Sequence, residues 1–252
     1  MLLNTVIISL NQFLPLGVLW VLLSLYPPST LENREFSHTL GVFVFGLISC
    51  FIYLWLAGDV SQWFDFLGLE LAQITFLCGI YASVLALIVS NYWLYKYSAL
   101  VCAMLAYLSH FMTYLSSYGQ VGMAKSMLIG TVLGMGLCVS FIILLYFSLV
   151  WVRNMYSKNW LIALITLHCA SKIATATDLA SQVDLISASS EVFNLKWLLD
   201  EYSIIGRVLK ALIGYEASPS MLSLASFLIA VFVMLIAFQY RMKMIKIRGK
   251  GA

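Results

Sequence analysis

Charge and proline are scarce in this 252-residue chain, and this scarcity excludes a soluble protein. Only 10% of the residues are charged and only 4 are proline, whereas 62% are hydrophobic and the mean hydropathy is +0.96. Soluble domains carry about 25% charged residues. The chain is therefore expected to be an integral, multi-pass membrane protein of the plasma or bacterial inner membrane, with the lipid bilayer as its first partner.

Other signatures are missing as well. The 5 cysteines fall in apolar runs and form no CxxC pair, which argues against a disulfide framework or a zinc site. The net charge is only +3 and the one basic cluster is a short C-terminal tail, so no nucleic-acid partner is expected. The sequence has no nucleophile–base pair, phosphate loop or pair of acids at catalytic spacing. We expect neither an enzyme nor a bound cofactor.

Seven apolar stretches are long enough to cross the hydrocarbon core, which takes about 20 helical residues. They cover residues 2–26, 38–57, 66–89, 98–117, 126–152, 160–182 and 220–240. The first lacks the basic leader and cleavage site of a signal peptide, so we expect it to remain as a helix. The predicted fold class is an all-α polytopic membrane protein with seven transmembrane helices.

Lysine and arginine are distributed unevenly between the two sides that seven spans define. With the N-terminus outside, the inner side holds nine of them: Arg34, Lys96, Arg153, Lys158, Arg241, Lys243, Lys246, Arg248 and Lys250. The outer side holds four: Lys125, Lys196, Arg207 and Lys210. Cytoplasmic loops are enriched in basic residues. The predicted orientation therefore has the N-terminus outside and the C-terminus, with its basic tail at 241–252, in the cytoplasm.

The connection at 184–219, between the sixth and seventh spans, has an amphipathic pattern. Its apolar stripe consists of Leu195, Leu198, Tyr202, Ile205, Leu209 and Leu212, and its polar stripe of Lys196, Asp200, Ser203, Arg207 and Lys210. Steps of three and four residues are typical of a helix with one polar face. We predict a surface helix over residues 196–213 on the outer side, with Leu198, Tyr202, Ile205 and Leu209 packed on the spans.

The sixth span carries a regular polar stripe, here called the polar seam: His168, Ser171, Lys172, Thr175, Asp178 and Gln182. Their spacing places them on one side of a helix, over roughly 21 Å at about 1.5 Å per residue. Lys172 lies near mid-membrane, where an ionisable residue is a functional-site candidate. We expect Asp178 or Glu70 to neutralise it. The alternative is a buried ion pair that only fixes helix packing.

The first and fourth spans share a short pattern at mid-depth. Residues 10–15 (LNQFLP) align with residues 108–113 (LSHFMT), and the two stretches are three spans apart, so they cross the membrane in opposite directions. Many transporters are built from such inverted repeats, with the site where the repeats meet. We predict one repeat at 1–95 and another at 96–183, followed by the outer connection and the last span. Chance similarity between two apolar helices is the alternative. The spacing of Gly130 and Gly134 in the fifth span also favours close helix packing.

The C-terminal third resembles the high-affinity iron permease family. The resemblance rests on Trp197–Leu198–Leu199, Ser203, Gly206, the run LKAL at 209–212, Gly214–Tyr215 and the run ASPS at 217–220. It implies two inverted three-helix repeats plus a final helix, iron as the transported ion, and an iron-oxidising or iron-binding partner outside the membrane.

The family's Arg-Glu-X-X-Glu motif is absent at the matching positions. In the first span they hold Asn11, Gln12 and Pro15, and in the fourth Ser109, His110 and Thr113. Carboxylates suit a hard, highly charged cation, and neither stretch has one. A further acidic position of the family falls on Leu67, with Glu70 one turn later.

Three functions fit this pattern. The chain is a permease-like transporter that moves iron or another metal cation through a degenerate site, a non-conducting accessory or regulatory subunit of an iron uptake complex, or a transporter of another polar solute. The weak candidates for metal ligands are His110 and Glu70, although Tyr107 and Tyr114 beside His110 also favour a hydrogen-bonded core histidine. The predicted translocation pathway consists of Asn11, Gln12, Glu70, Ser109, His110, Thr113, His168, Lys172 and Asp178.

Overall fold

The structure, a computed structural model, describes residues 2–26, 35–119, 124–155, 159–187, 189–201 and 203–248. These residues form eight α-helices: α1 (Leu2–Leu25), α2 (Glu35–Val60), α3 (Gly68–Ser90), α4 (Trp93–Gly119), α5 (Ala124–Met155), α6 (Asn159–Gln182), α7 (Ile204–Ile213) and α8 (Met221–Arg248). All of them except α7 are long and apolar enough to cross a membrane. The predicted fold class is confirmed: the chain is an all-α polytopic membrane protein.

Each predicted span corresponds to one helix, with modest differences at the ends. The largest difference is in α8, which continues to Arg248, so most of the basic tail extends the last helix. Arg34, in the connection between the first two spans, lies outside the described residues, as do Tyr202 and the last residues of the tail.

The helices differ in how much of their apolar length is buried. Within the most apolar 18 residues of each helix, 50% of the residues are buried in α1 and 44% in α4 and α6. Only 11% are buried in α2 and 17% in α5 and α8. The side chains of Leu128, Leu144 and Phe147 on α5 are more than 60% exposed. An apolar surface of this kind is suited to lipid. The helices α1, α4 and α6 therefore form the centre of the bundle, with α2, α5 and α8 at its edge.

Small residues let α5 approach α1 closely. A Cβ atom added to Gly130 would lie 2.8 Å from the Cβ of Thr5, and one added to Gly134 would lie 2.5 Å from the Cβ of Ser9. Both distances are too short for any larger residue without a shift of the helices. The close packing predicted from the glycine spacing is confirmed.

A second peripheral pair mirrors this one. Helix α2 packs on α4, where Gly46 faces the side chain of Met104 and the Cys50 thiol lies 3.5 Å from the Met104 carbonyl oxygen. If α1–α3 and α4–α6 are repeats, then α1 corresponds to α4 and α5 to α2. The pairs α1–α5 and α4–α2 are then equivalent. This pairing is compatible with the inverted repeat, whose boundaries stay a prediction.

The helix in the outer connection is shorter than its sequence pattern predicts. Residues 196–198 form a turn, and α7 begins only after Ser203, whose hydroxyl accepts a hydrogen bond from the Gly206 N–H as an N-cap. The expected packing of Leu198 and Ile205 on the spans is wrong, because these side chains are 66% and 64% exposed. The N-cap at Ser203 therefore sets the start of the helix, although the apolar periodicity begins further upstream.

Candidate functional site

The two motif-like stretches meet where α1 and α4 cross. The ring centroids of Phe13 and Phe111 lie 4.9 Å apart, so the positions that the repeat aligns are neighbours in space. However, Asn11 and His110 are exposed and Gln12 is half-buried. The crossing is therefore formed by aromatic side chains, with Asn11, Gln12 and His110 around its margin.

Ser109 and Thr113 form hydrogen bonds within their own helix. The buried Ser109 hydroxyl donates to the Leu105 carbonyl, and the exposed Thr113 hydroxyl donates to the Ser109 carbonyl at 2.9 Å. Back-bonding of this kind is common for hydroxyls inside helices. The single hydrogen of each hydroxyl is therefore used within α4, while the oxygen lone pairs can still accept.

Glu70 lies in the first turn of α3. It acts electrostatically on Tyr53 and His110, and its Oε2 atom is buried with no hydrogen-bond partner in the described part of the chain. Among the residues that the structure describes, no group of three or more His, Cys, Asp or Glu side chains is placed to hold a metal ion. Glu70 and His110 thus form at most a pair.

The polar seam of α6 is buried in its middle and exposed towards its end. His168, Ser171 and Lys172 are at most 4% exposed. Thr175 and Gln182 are exposed, and Asp178 is half-buried beside the start of α8. The core of the candidate site is therefore the segment 168–172, at the centre of the bundle.

The hydrogen bond of His168 defines its tautomer. Its Nδ1 atom lies 3.3 Å from the Leu212 carbonyl oxygen at the end of α7. Since a carbonyl only accepts, the Nδ1 atom carries the proton and donates. The Nε2 atom then presents a lone pair, and it is buried without a hydrogen-bond partner among the described residues. This neutral imidazole is an available acceptor inside the bundle.

Lys172 is 4% exposed, and its ammonium nitrogen lies 5.4 Å from the centroid of the Tyr107 ring. No carboxylate of the described residues is within ion-pair distance of it, so the expected neutralisation by Asp178 or Glu70 is not found. Asp178 instead accepts hydrogen bonds from the hydroxyls of Ser220 and Ser223. The physical reason is position, because Asp178 lies nearly two turns beyond Lys172 and faces α8.

The end of α7 enters the bundle and meets the seam. Ala211 packs with Leu14 and Cys138, which lie in the middle of α1 and α5. Gly214 follows α7 with φ at 74°, and a Cβ atom added to it would lie 2.0 Å from the Cβ of Ser171. The short helix thus enters from one side and stops near mid-depth, as a re-entrant segment.

This arrangement places the carbonyl end of α7 on the side of α6 that carries Lys172. A helix C-terminus bears partial negative charge that favours a nearby cation. His168 and Ser171 contact that end directly, and Lys172 is the next residue of the same face. The Tyr107 ring is the contact of the Lys172 ammonium group, and the end of α7 lies against the neighbouring residues His168 and Ser171.

Comparisons with protein-family models, with curated proteins and with solved structures found no match. The site therefore rests on its own geometry. The interpretation of the sequence missed two of its elements, the entry of α7 and the carboxyl group of Glu216, whose Oε2 atom lies 3.5 Å from the Ser223 hydroxyl that Asp178 also contacts. Gly214, directly after an amphipathic stripe, was the available signal for the first, because helices that end in a tight turn favour glycine there. The second had no signal in local spacing.

Proposed function

We propose that this chain is an iron-permease-like membrane transporter with a degenerate metal site, whose polar route follows the seam of α6. The carrying observation is the entry of α7 into the bundle, where its C-terminal end meets His168 and Ser171. Helix ends near mid-membrane are a device by which many transporters present polar groups to a solute. Non-helical backbone such as that at Gly214 is tolerated at this depth only inside protein or beside a water-filled cavity.

Iron as the cargo is supported by the resemblance in residues 197–220. In the structure this stretch comprises the turn before α7, α7 itself, Gly214 and the segment that leads back to α8. The residues that carry the resemblance are thus the ones that build the re-entrant segment, not a random sample of apolar sequence. An iron-oxidising or iron-binding protein outside the membrane is the partner that fits this proposal.

The charge of the interior favours a second candidate function, a non-conducting accessory subunit of an iron uptake complex. Removing an ion from water costs roughly several kcal/mol of free energy even after the protein relaxes around it, and neutral oxygen ligands recover only part of this cost. The stretches at 10–15 and 108–113 contain no carboxylate, and Lys172 adds a positive charge at the centre. We therefore expect this chain alone to carry ferric iron far more slowly than a permease with intact motifs.

Uptake of labelled iron separates the two candidates. Cells lacking other high-affinity iron uptake should be given this chain alone, an intact permease alone, or both together. Uptake by the chain alone that is lost in Lys172→Met, but kept in the exposed control Lys196→Met, supports conduction. Uptake that appears only with the intact permease and rises when this chain is added supports the accessory role. No change in either setting would reject iron as the cargo.

Orientation is testable in the same cells. With the N-terminus outside, a cysteine introduced at the exposed residue Ser190 should react with an impermeant reagent added to intact cells. A cysteine introduced at the exposed residue Asn154 lies where α5 ends and α6 is about to begin, which this topology places on the cytoplasmic side. It should react only after the membrane is opened. The reverse result would invert the predicted topology.

A further inference from the structure

Two carboxyl groups meet through one serine where the re-entrant segment returns to α8. The Ser223 hydroxyl lies 2.9 Å from Oδ2 of Asp178 and 3.5 Å from Oε2 of Glu216. The Ser220 hydroxyl lies 3.3 Å from Oδ1 of Asp178. Ser223 is only 1% exposed, so water does not readily replace these contacts. Helices α6 and α8 and the 214–219 segment are thus joined at one point.

The Ser223 hydroxyl cannot donate a hydrogen bond to both carboxyl groups at once. A hydroxyl has one hydrogen to donate, and the shorter distance directs that of Ser223 to Asp178. The remaining contact, between Ser223 and Glu216, is then a hydrogen bond only if the Glu216 carboxyl is protonated and donates to the serine oxygen. The chain of donors runs from Glu216 through Ser223 to Asp178.

We propose that Asp178 and Glu216 bind one proton between them through Ser223, and that this proton latches the re-entrant segment 204–219 to α6 and α8. Loss of the proton removes the donor from Glu216 and leaves two carboxylates facing one buried hydroxyl. The segment then opens more readily at the bundle's polar seam. This inference does not depend on what the chain transports.

The surrounding charges agree with this direction. Burial and, after it, the negative charge of Asp178 on α6 raise the pKa of Glu216, and they outweigh the hydrogen bond with Ser223, which lowers it, so that the pKa is about 7. Lys210 on α7 acts in the opposite direction, but its ammonium group lies 3.1 Å from Glu201 and is largely neutralised by it, while Glu201 itself raises the pKa of Glu216. The latch is therefore closed below about pH 7 and weakens as the pH rises through it.

Hydrogen–deuterium exchange of the full-length protein in lipid nanodiscs tests the latch. Protection factors, which are already corrected for the intrinsic pH dependence of exchange, should be compared at pH 5.5 and pH 8 for peptides covering residues 204–219. We expect the wild-type values to fall about tenfold between these two pH values, less than the full pKa shift allows because Glu216 is only partly buried. Peptides from α1 and α4 should keep their protection.

Two variants give the control. Glu216→Gln keeps a donor for Ser223 but cannot ionise, so its protection should be high and independent of pH. Glu191→Gln changes an exposed glutamate of the same connection and should behave as wild type. Equal wild-type protection at both pH values overturns the proposal even if Glu216→Gln fails to fold. A fall that persists in Glu216→Gln, or one that spreads equally over all helices, also overturns it.

Discussion

Replacing Gly214 by alanine tests whether α7 is docked in the bundle. Gly214 has φ at 74°, in the left-handed region that only glycine visits easily. Its added Cβ atom would lie 2.0 Å from Cβ and 2.9 Å from Oγ of Ser171. The alanine therefore meets two separate obstacles, one in its own backbone and one in the neighbouring helix.

Both contributions can be sized. The left-handed conformation costs about 1–2 kcal/mol for a residue with a Cβ atom, and an overpacked methyl group costs about 1–3 kcal/mol. Gly214→Ala should therefore destabilise the protein by about 2–5 kcal/mol, which in a chain of this length lowers the melting temperature by about 5–15 °C. The same substitution at Gly136 on α5 meets no atom within 4 Å. It should be neutral or stabilise by up to about 1 kcal/mol, because alanine is the better helix former.

The assay is thermal unfolding of the purified protein in one detergent, with Gly136→Ala as the matched control. A double-mutant cycle then separates the two contributions. In a Ser171→Gly background the two closest atoms are removed and the nearest that remains is the Cα of residue 171, at 3.2 Å, so the cost of Gly214→Ala should fall by about 1–3 kcal/mol while the backbone cost remains. Equal melting temperatures for Gly214→Ala and Gly136→Ala, or no relief from Ser171→Gly, would show that the end of α7 does not contact α6.

Three further predictions concern other contacts. Gly134→Leu should separate α5 from α1 and cost about 1–3 kcal/mol, whereas Gly136→Leu, on the open side of the same helix, should have little effect on thermal unfolding. Lys172→Met should increase the free energy of unfolding by about 1–2 kcal/mol and so raise the melting temperature, because it replaces a buried charge that has no described acid partner with an apolar chain of similar length. A marked loss of stability would reveal a partner for the charge. Since the folded state holds the pKa of Glu216 at about 7, above its ordinary value of 4.5, wild-type stability should decline as the pH rises from about 4.5 to 7. Melting curves across this window should show less decline in Glu216→Gln.

The seven spans could be predicted because each depends only on its own sequence. A helix in lipid satisfies its backbone internally and needs about 20 apolar residues, whatever its neighbours are. The close approach of α1 and α5 was also within reach, because Gly130 and Gly134 lie one turn apart on one face. Features of this kind are local, and local pattern is what a single sequence reveals.

The depth of α7 could not be predicted in this way. An apolar stripe opposite a polar one fits a helix that lies on the membrane surface as well as one that packs inside the protein. The decision depends on Leu14 and Cys138, which are nearly 200 and more than 70 residues before Ala211 in the sequence and provide the contact. Small residues at 211 and 214, both close to other helices, distinguish the packed case, since a surface helix has no need of them.

The charge arrangement of the site shows the same limit more sharply. Sequence spacing identified Lys172 and Asp178 correctly as two polar groups of one helix face, and proximity along that face suggested that they pair. Asp178 instead accepts hydrogen bonds from Ser220 and Ser223, which come 42 and 45 residues later. The Ser223 hydroxyl also contacts Glu216. Lys172 is left beside the Tyr107 ring. Lys172 and Asp178, which the sequence suggested as a pair, therefore belong to two separate sites: a cationic centre at mid-depth and the proposed proton-binding latch at the end of the seam. Lys172→Met should therefore leave the pH dependence of exchange at residues 204–219 unchanged, because that dependence resides in Glu216 and Asp178.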